Sequence, residues 1–202
     1  MVQPMYEYRK ITPEERREIL RERKSRGYPL HAPPHFKNVA GVYLITAACY
    51  EHRHIFNTPD LLSLLMDEIL ASFTKAELEY KGWVFLTNHY HIIIETPDIS
   101  CIGEVLRKAH SRTATKVNYK QDKKGRKVWH LYSDRLMRNE QHNMATLNYI
   151  HYNPIKHGYV ERMTDWPWSS VHSYRDTMEE EELRQVWKRY PIGNYGKGWD
   201  WR

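Results

Sequence analysis

Two histidines, a tyrosine and an asparagine are spaced so that they could do chemistry together. His89 and His91 flank Tyr90 in the run Thr87-Asn88-His89-Tyr90-His91-Ile92-Ile93-Ile94-Glu95. Thr-Asn suits a turn, and three consecutive isoleucines suit a buried strand. Side chains alternate along a strand, so the two imidazoles share one face, about 6–7 Å apart. At that separation they can grip one metal ion and leave positions open for water or substrate. Tyr149 and Asn153 stand four apart on an expected helix, which makes a phenol and a carboxamide oxygen neighbours. A candidate nucleophile would then lie beside a candidate metal ligand. Tyr152 and Tyr159 are the nearest decoys for the nucleophile. A second pair, His52 and His54, sits in a polar run with no apolar strand after it. It lacks the setting that gives the first pair meaning.

The elements that must position these residues can be read in order. Val39 to Cys49 is apolar and β-branched, a strand. Asn57-Thr58-Pro59-Asp60 caps a helix whose Leu61, Leu62, Leu65, Ile69 and Phe73 repeat at core-facing spacing. Leu78 to Leu86 is a second strand, joined to the His strand by the tight turn at Thr87-Asn88. Pro97-Asp98 opens a helix from about Ile99 to Tyr119, with Ile102, Val105, Leu106, Ala109, Thr113 and Val117 inward. Val128 to Met137 is a fourth strand. The order β-α-β-β-α-β is an α+β, ferredoxin-like antiparallel sheet with two helices on one face and the other face free. A further, catalytic helix spans about 139–153, with Pro154 ending or kinking it. Residues 1–37 form a basic N-terminal extension containing a helix capped at Thr12. Residues 38–175 form the main domain and 176–202 a C-terminal helix and tail. Trp166 to Ser170 reads as an aromatic element that closes the last helix against the sheet.

Composition narrows the class of function. The 202 residues are 41% hydrophobic and 28% charged, ordinary for a soluble domain. There is no apolar run of membrane-spanning length and no signal-peptide core, so a cytoplasmic location without membrane association is expected. Cys49 and Cys101 make neither a zinc pattern nor a disulfide framework. Of the net charge of +6, residues 1–37 carry +4 and residues 104–138 carry +8, so the remainder is acidic. Basic charge gathered into two segments is the footprint of a polyanion, most simply nucleic acid. Arg107, Lys108, Arg112, Lys116, Lys123, Lys124, Arg126, Lys127, Arg135 and Arg138 are the candidate phosphate contacts, with Arg53 reaching the strand near the site.

Taken together, Asn88-His89-Tyr90-His91, then Tyr149-Ile150-His151-Tyr152-Asn153-Pro154-Ile155-Lys156-His157-Gly158, then Trp166-Pro167-Trp168-Ser169-Ser170 resemble the single-tyrosine HUH transposases. Within these, the REP-associated tyrosine transposases are the closer likeness, over roughly residues 39–175. Tyr90 departs from the pattern, filling a slot where an aliphatic residue is usual. The resemblance implies that His89, His91 and Asn153 hold one Mg²⁺ or Mn²⁺. It implies that Tyr149 attacks single-stranded DNA to give a 5′-phosphotyrosine and a free 3′-hydroxyl. It further implies a REP-like hairpin target with a guide tetranucleotide beside it, and a monomer is favoured over a dimer. Two other readings fit the residues without that resemblance. One is a non-catalytic single-stranded nucleic-acid-binding module using the free sheet face. The other is a hydrolase in which Glu95 joins the two histidines.

Overall fold

The computed structural model describes residues 12–25 and 39–193. Most of the expected basic extension, including its Pro-containing stretch from Tyr28 to Pro34, and nearly all of the end from Gly193 to Arg202 lie outside them. A four-stranded antiparallel sheet is built from β1 (Gly41–Ala48), β2 (Glu79–Phe85), β3 (His89–Thr96) and β4 (Ser133–Leu136). Its order is β2-β3-β1-β4, which places the His strand in the middle. Helix α1 (Pro13–Ser25) precedes the sheet, and none of its residues is buried. Helix α2 (Pro59–Lys75) starts where expected, with the Thr58 side chain accepting the Leu61 N–H and Pro59 in the first turn. Helix α3 (Ile102–Lys120) follows a short 3₁₀ turn whose cap is Asp98.

Both faces of the sheet are covered, and strand alternation says by what. Tyr90, Ile92 and Ile94 point to the side of α2 and α3, where the Tyr90 hydroxyl meets His110 Nε2 at 2.9 Å. The unusual Tyr90 thus has a partner, and His110 stacks on Trp129 with centroids 4.4 Å apart. Burial pushes the His110 imidazole down to about 3 and raises the Tyr90 phenol, so this pair is neutral inside the core. His89, His91 and Ile93 point the other way. That second face is not free, as the strand order alone suggests: α4 (Glu140–Lys156) lies over it. Gly82 on β2, opposite Ile93, permits the approach, because a Cβ there would stand 2.5 Å from Leu147 Cδ1 and 3.2 Å from Ile150 Cδ1.

Three details differ from the sequence reading. Helix α4 does not end at Asn153 but carries Pro154 inside it and continues for most of a turn, because the His157 N–H still reaches the Asn153 carbonyl at 3.0 Å. Regular pairing in β4 covers only four residues; further upstream, a bridge from Cys49 to Trp129 is the contact that remains. Trp166 to Ser170 does more than pack. Its backbone pairs with the exposed edge of β2 through Phe85 N–H to Trp168 O and Ser170 N–H to Trp83 O, both at 2.9 Å. That covers an otherwise unpaired strand edge. Two helices follow, α5 (Val171–Thr177) and α6 (Glu180–Arg189), so the expected boundary at residue 175 falls inside α5. No helix among the described residues is long and apolar enough to cross a membrane.

Candidate active site

The middle strand and the covering helix bring His89, His91, Tyr149 and Asn153 to one place. The His89 and His91 ring centroids are 5.1 Å apart, somewhat closer than strand geometry alone suggests. The Tyr149 ring packs edge-on to His91 with centroids 5.6 Å apart. Asn153 lies one turn beyond Tyr149, its Nδ2 donating to the Tyr149 carbonyl at 3.4 Å. The site is dry rather than wet. His91, Tyr149 and Asn153 are fully buried and His89 is 4% exposed, because α4 covers the face that the alternation pattern had left open.

Each imidazole is held through Nδ1, which leaves Nε2 as the ring nitrogen that could ligate a metal. His91 Nδ1 shares a 2.7 Å hydrogen bond with Thr46 Oγ1 from the neighbouring β1, and His89 Nδ1 shares one of the same length with Asn88 Oδ1. Such partners fix ring orientation in metal sites. The Asn88 amide also donates to the His52 carbonyl at 3.2 Å. His54 Nδ1 meets Thr87 Oγ1, which in turn contacts the Tyr159 hydroxyl at 2.6 Å. The second histidine pair therefore braces the turn before β3, and its own imidazoles do not form a separate centre.

The donor set fits a divalent cation. Asn153 Oδ1 is buried without a hydrogen-bond partner, an arrangement that is costly unless something else satisfies it. Two imidazole nitrogens and one amide oxygen suit a mixed N/O ion better than structural zinc. Glu95 does not complete an alternative site: it is exposed and ion-pairs with Lys81 at 2.5 Å. Among the described residues no cluster of three His, Cys, Asp or Glu side chains has metal-holding geometry.

Two neighbours went unassigned in the sequence. Lys156 Nζ donates to the Tyr149 hydroxyl at 3.3 Å and lies 4.9 Å from the centre of its ring. The His157 ring is 5.1 Å from that of His89. Both belong to the Tyr149–Gly158 run that carries the resemblance, and Lys156 stands seven residues, two helical turns, after Tyr149. Reading it would have required trusting a helix through Pro154.

No family model matches the chain. A REP-associated tyrosine transposase of Escherichia coli is 30% identical over 98 residues, covering 46% of this chain and 54% of that protein. A provisionally named REP-associated tyrosine transposase of Haemophilus influenzae is 46% identical over 55 residues, 27% of this chain and 28% of that protein. This chain is similar to REP-associated tyrosine transposases. The matched stretches span about half, or less, of those curated relatives. A solved structure of a REP-associated tyrosine transposase bound to a REP hairpin superposes with a TM-score of 0.55 at 22% identity, covering 83% of this chain and 92% of that one. The fold is thus shared with that transposase, in agreement with the α+β reading and its antiparallel sheet.

Relative to the sheet, the candidate phosphate contacts divide by position. Arg107, Lys108, Arg112 and Lys116 are on α3, across the sheet from Tyr149. There Glu104 pairs with Arg107 and Lys108, and Glu68 of α2 holds Arg112 and Lys116. Arg126 is bound to Asn118 Oδ1 and Gln121 Oε1 at 2.9 and 2.6 Å, fastening the loop after α3. Lys123 and Lys124 are exposed on that loop, and Lys127 lies over the Tyr50 ring at 4.3 Å. Arg135, opposite Leu44 on β4, is exposed on the histidine face, and Arg138 is exposed just after the strand. Arg53 is exposed beside the braced turn and ion-pairs with Glu51.

Proposed function

We propose that this protein is a divalent-metal-dependent single-stranded DNA endonuclease and strand transferase, acting on REP-like hairpins with a guide tetranucleotide through a 5′-phosphotyrosine intermediate. The observation that carries this reading is the placement of the Tyr149 ring against His91, with the buried, unsatisfied Asn153 Oδ1 one turn away. The REP hairpin in the transposase of the same fold supports the choice of substrate.

His89 and His91 through Nε2, with Asn153 through Oδ1, would hold Mg²⁺ or Mn²⁺. Bound there, the ion would polarise the scissile phosphate and offset charge built up in the transition state. Tyr149 is the nucleophile. Its phenol proton leaves to solvent, its oxygen bonds to phosphorus, and the bond from phosphorus to the 3′ oxygen breaks. The 3′ oxygen takes a proton from water. Reversal by a 3′-hydroxyl rejoins DNA, and the phosphoester energy is conserved in the tyrosine link, so no ATP is required. Thr46 and Asn88 hold the imidazoles in the ligating orientation. Because Tyr149 and His91 belong to one chain, the arrangement favours a monomer with a complete site. Tyr149 is fully buried, so strand entry requires side chains over it to swing aside.

The test is incubation of the protein with a single-stranded hairpin oligonucleotide and Mn²⁺, followed by a denaturing gel. A covalent protein–DNA adduct is expected for the wild type, lost with EDTA. Tyr149→Phe should bind the same DNA and yield no adduct. An adduct of undiminished yield from Tyr149→Phe refutes the assignment; hairpin binding by the wild type with no nicking under any divalent ion would favour the non-catalytic binding module.

A further inference from the structure

Lys156 sits in the last turn of α4, where a cation is ordinarily accounted for by the helix dipole and by solvent. Its side chain does something else. It folds back two turns along the helix, lies over the Tyr149 ring at 4.9 Å, and donates to the phenolic oxygen at 3.3 Å. Lys156 is half-buried while Tyr149 is fully covered, so this side chain links the nucleophile to the partly exposed end of the helix.

Resting on the transferase reading above, we propose that Lys156 is a catalytic residue that neutralises the scissile phosphate. The oxygen it touches is the one that must bond to phosphorus. When that bond forms, the nonbridging phosphate oxygens fall within reach of the same ammonium. A preorganised donor aimed at developing charge, in a site that water has left, is the arrangement that lowers such barriers most. Nothing is oxidised and Lys156 gives up no proton: it stays an ammonium while the phosphorus–tyrosine bond forms and the phosphorus–3′ oxygen bond breaks. The contact also explains entry. The incoming phosphate exchanges a neutral phenol for an anion at the ammonium, so a side chain in contact with Tyr149 is itself drawn to the substrate.

Single-turnover cleavage of a hairpin oligonucleotide, measured beside DNA affinity, tests this. Lys156→Met should slow adduct formation about 100-fold, the scale on which one such donor acts, while DNA affinity falls by less than about tenfold, the scale of one lost phosphate contact near 0.1 M salt. Lys156→Arg, keeping the charge, should recover most of the rate and guards against loss of fold as the cause. The decisive substrate carries a methylphosphonate at the scissile position, which removes the charge that Lys156 is said to neutralise. On it the wild type and Lys156→Met should react at similar rates. An equal gap on both substrates overturns the proposal, leaving Lys156 to act through the fold alone, as does a Lys156→Met protein as fast as the wild type on the natural phosphate. Absence of any adduct from the wild type would instead sink the transferase reading itself, a separate outcome.

Discussion

Gly82 is where β2 lets α4 settle close enough to bring Tyr149 to His91, and a single methyl group there tests that dependence. The backbone of Gly82 is not in the left-handed region, so Gly82→Ala adds no conformational strain of its own. What it adds is overlap: the new Cβ would stand 2.5 Å from Leu147 Cδ1 and 3.2 Å from Ile150 Cδ1, where carbon atoms prefer about 3.5–4.0 Å. Leu147 and Ile150 flank Tyr149 in sequence, so relief comes either from their side-chain rotation or from α4 lifting off the sheet. Overpacking of this kind costs about 1–3 kcal/mol. In a chain of this size each kcal/mol lowers the melting temperature by about 2–4 °C. A displacement near 1 Å at the nucleophile costs a rate factor on the order of 100. Gly125→Ala is the matched control. Gly125 has φ +78° with open space around it, so alanine there should cost about 1–2 kcal/mol through backbone strain without touching the site. Thermal unfolding and single-turnover adduct formation are measured on both. The expected result is a comparable loss of stability with slowed chemistry in Gly82→Ala only. Equal adduct rates in the two variants would refute the claim that this close approach positions Tyr149.

Two further expectations concern the core and the DNA surface. His110 is held neutral by burial at about 3 against an ordinary 6.5, so the unfolded chain binds its proton first and stability should fall as pH drops from 6.5 toward 3. The slope from this residue is at most about 1.4 kcal/mol per pH unit. His110→Phe should remove that share of acid sensitivity in pH-dependent melts, while costing about 1–3 kcal/mol at neutral pH by stranding the Tyr90 hydroxyl; an unchanged acid slope would contradict it. Because Glu68 holds Arg112 and Lys116 on the far side of the sheet, replacing both with Gln should leave the salt dependence of hairpin binding nearly unchanged. Replacing the exposed Lys123 and Lys124 should flatten it by about 0.7 per lost contact on a single strand, and the reverse pattern would move the DNA path to α3.

The sequence by itself determined the elements and their order. Apolar spacing marked α2 and α3, the Thr58-Pro59 and Asp98 caps marked where helical structure begins, and the isoleucine run marked β3, because these signals are local and act within a few residues. It also determined which residues share a face: His89 with His91, and Tyr149 beside Asn153. Only the tertiary structure decided that these two pairs face each other. That depends on a glycine at position 82, on the Trp166–Ser170 segment closing the β2 edge, and on a helix that runs on through Pro154 because neighbouring hydrogen bonds and packing hold it. The same long-range packing buried the histidine face that the strand pattern leaves free. It also tied Arg112 and Lys116 of α3 to Glu68. Contacts made between residues far apart in the chain leave no periodic mark in either partner, so the dryness of the site became visible only when the sheet and its covering helix were seen together, whereas Lys156 meets Tyr149 within α4 and was hidden by Pro154 between them.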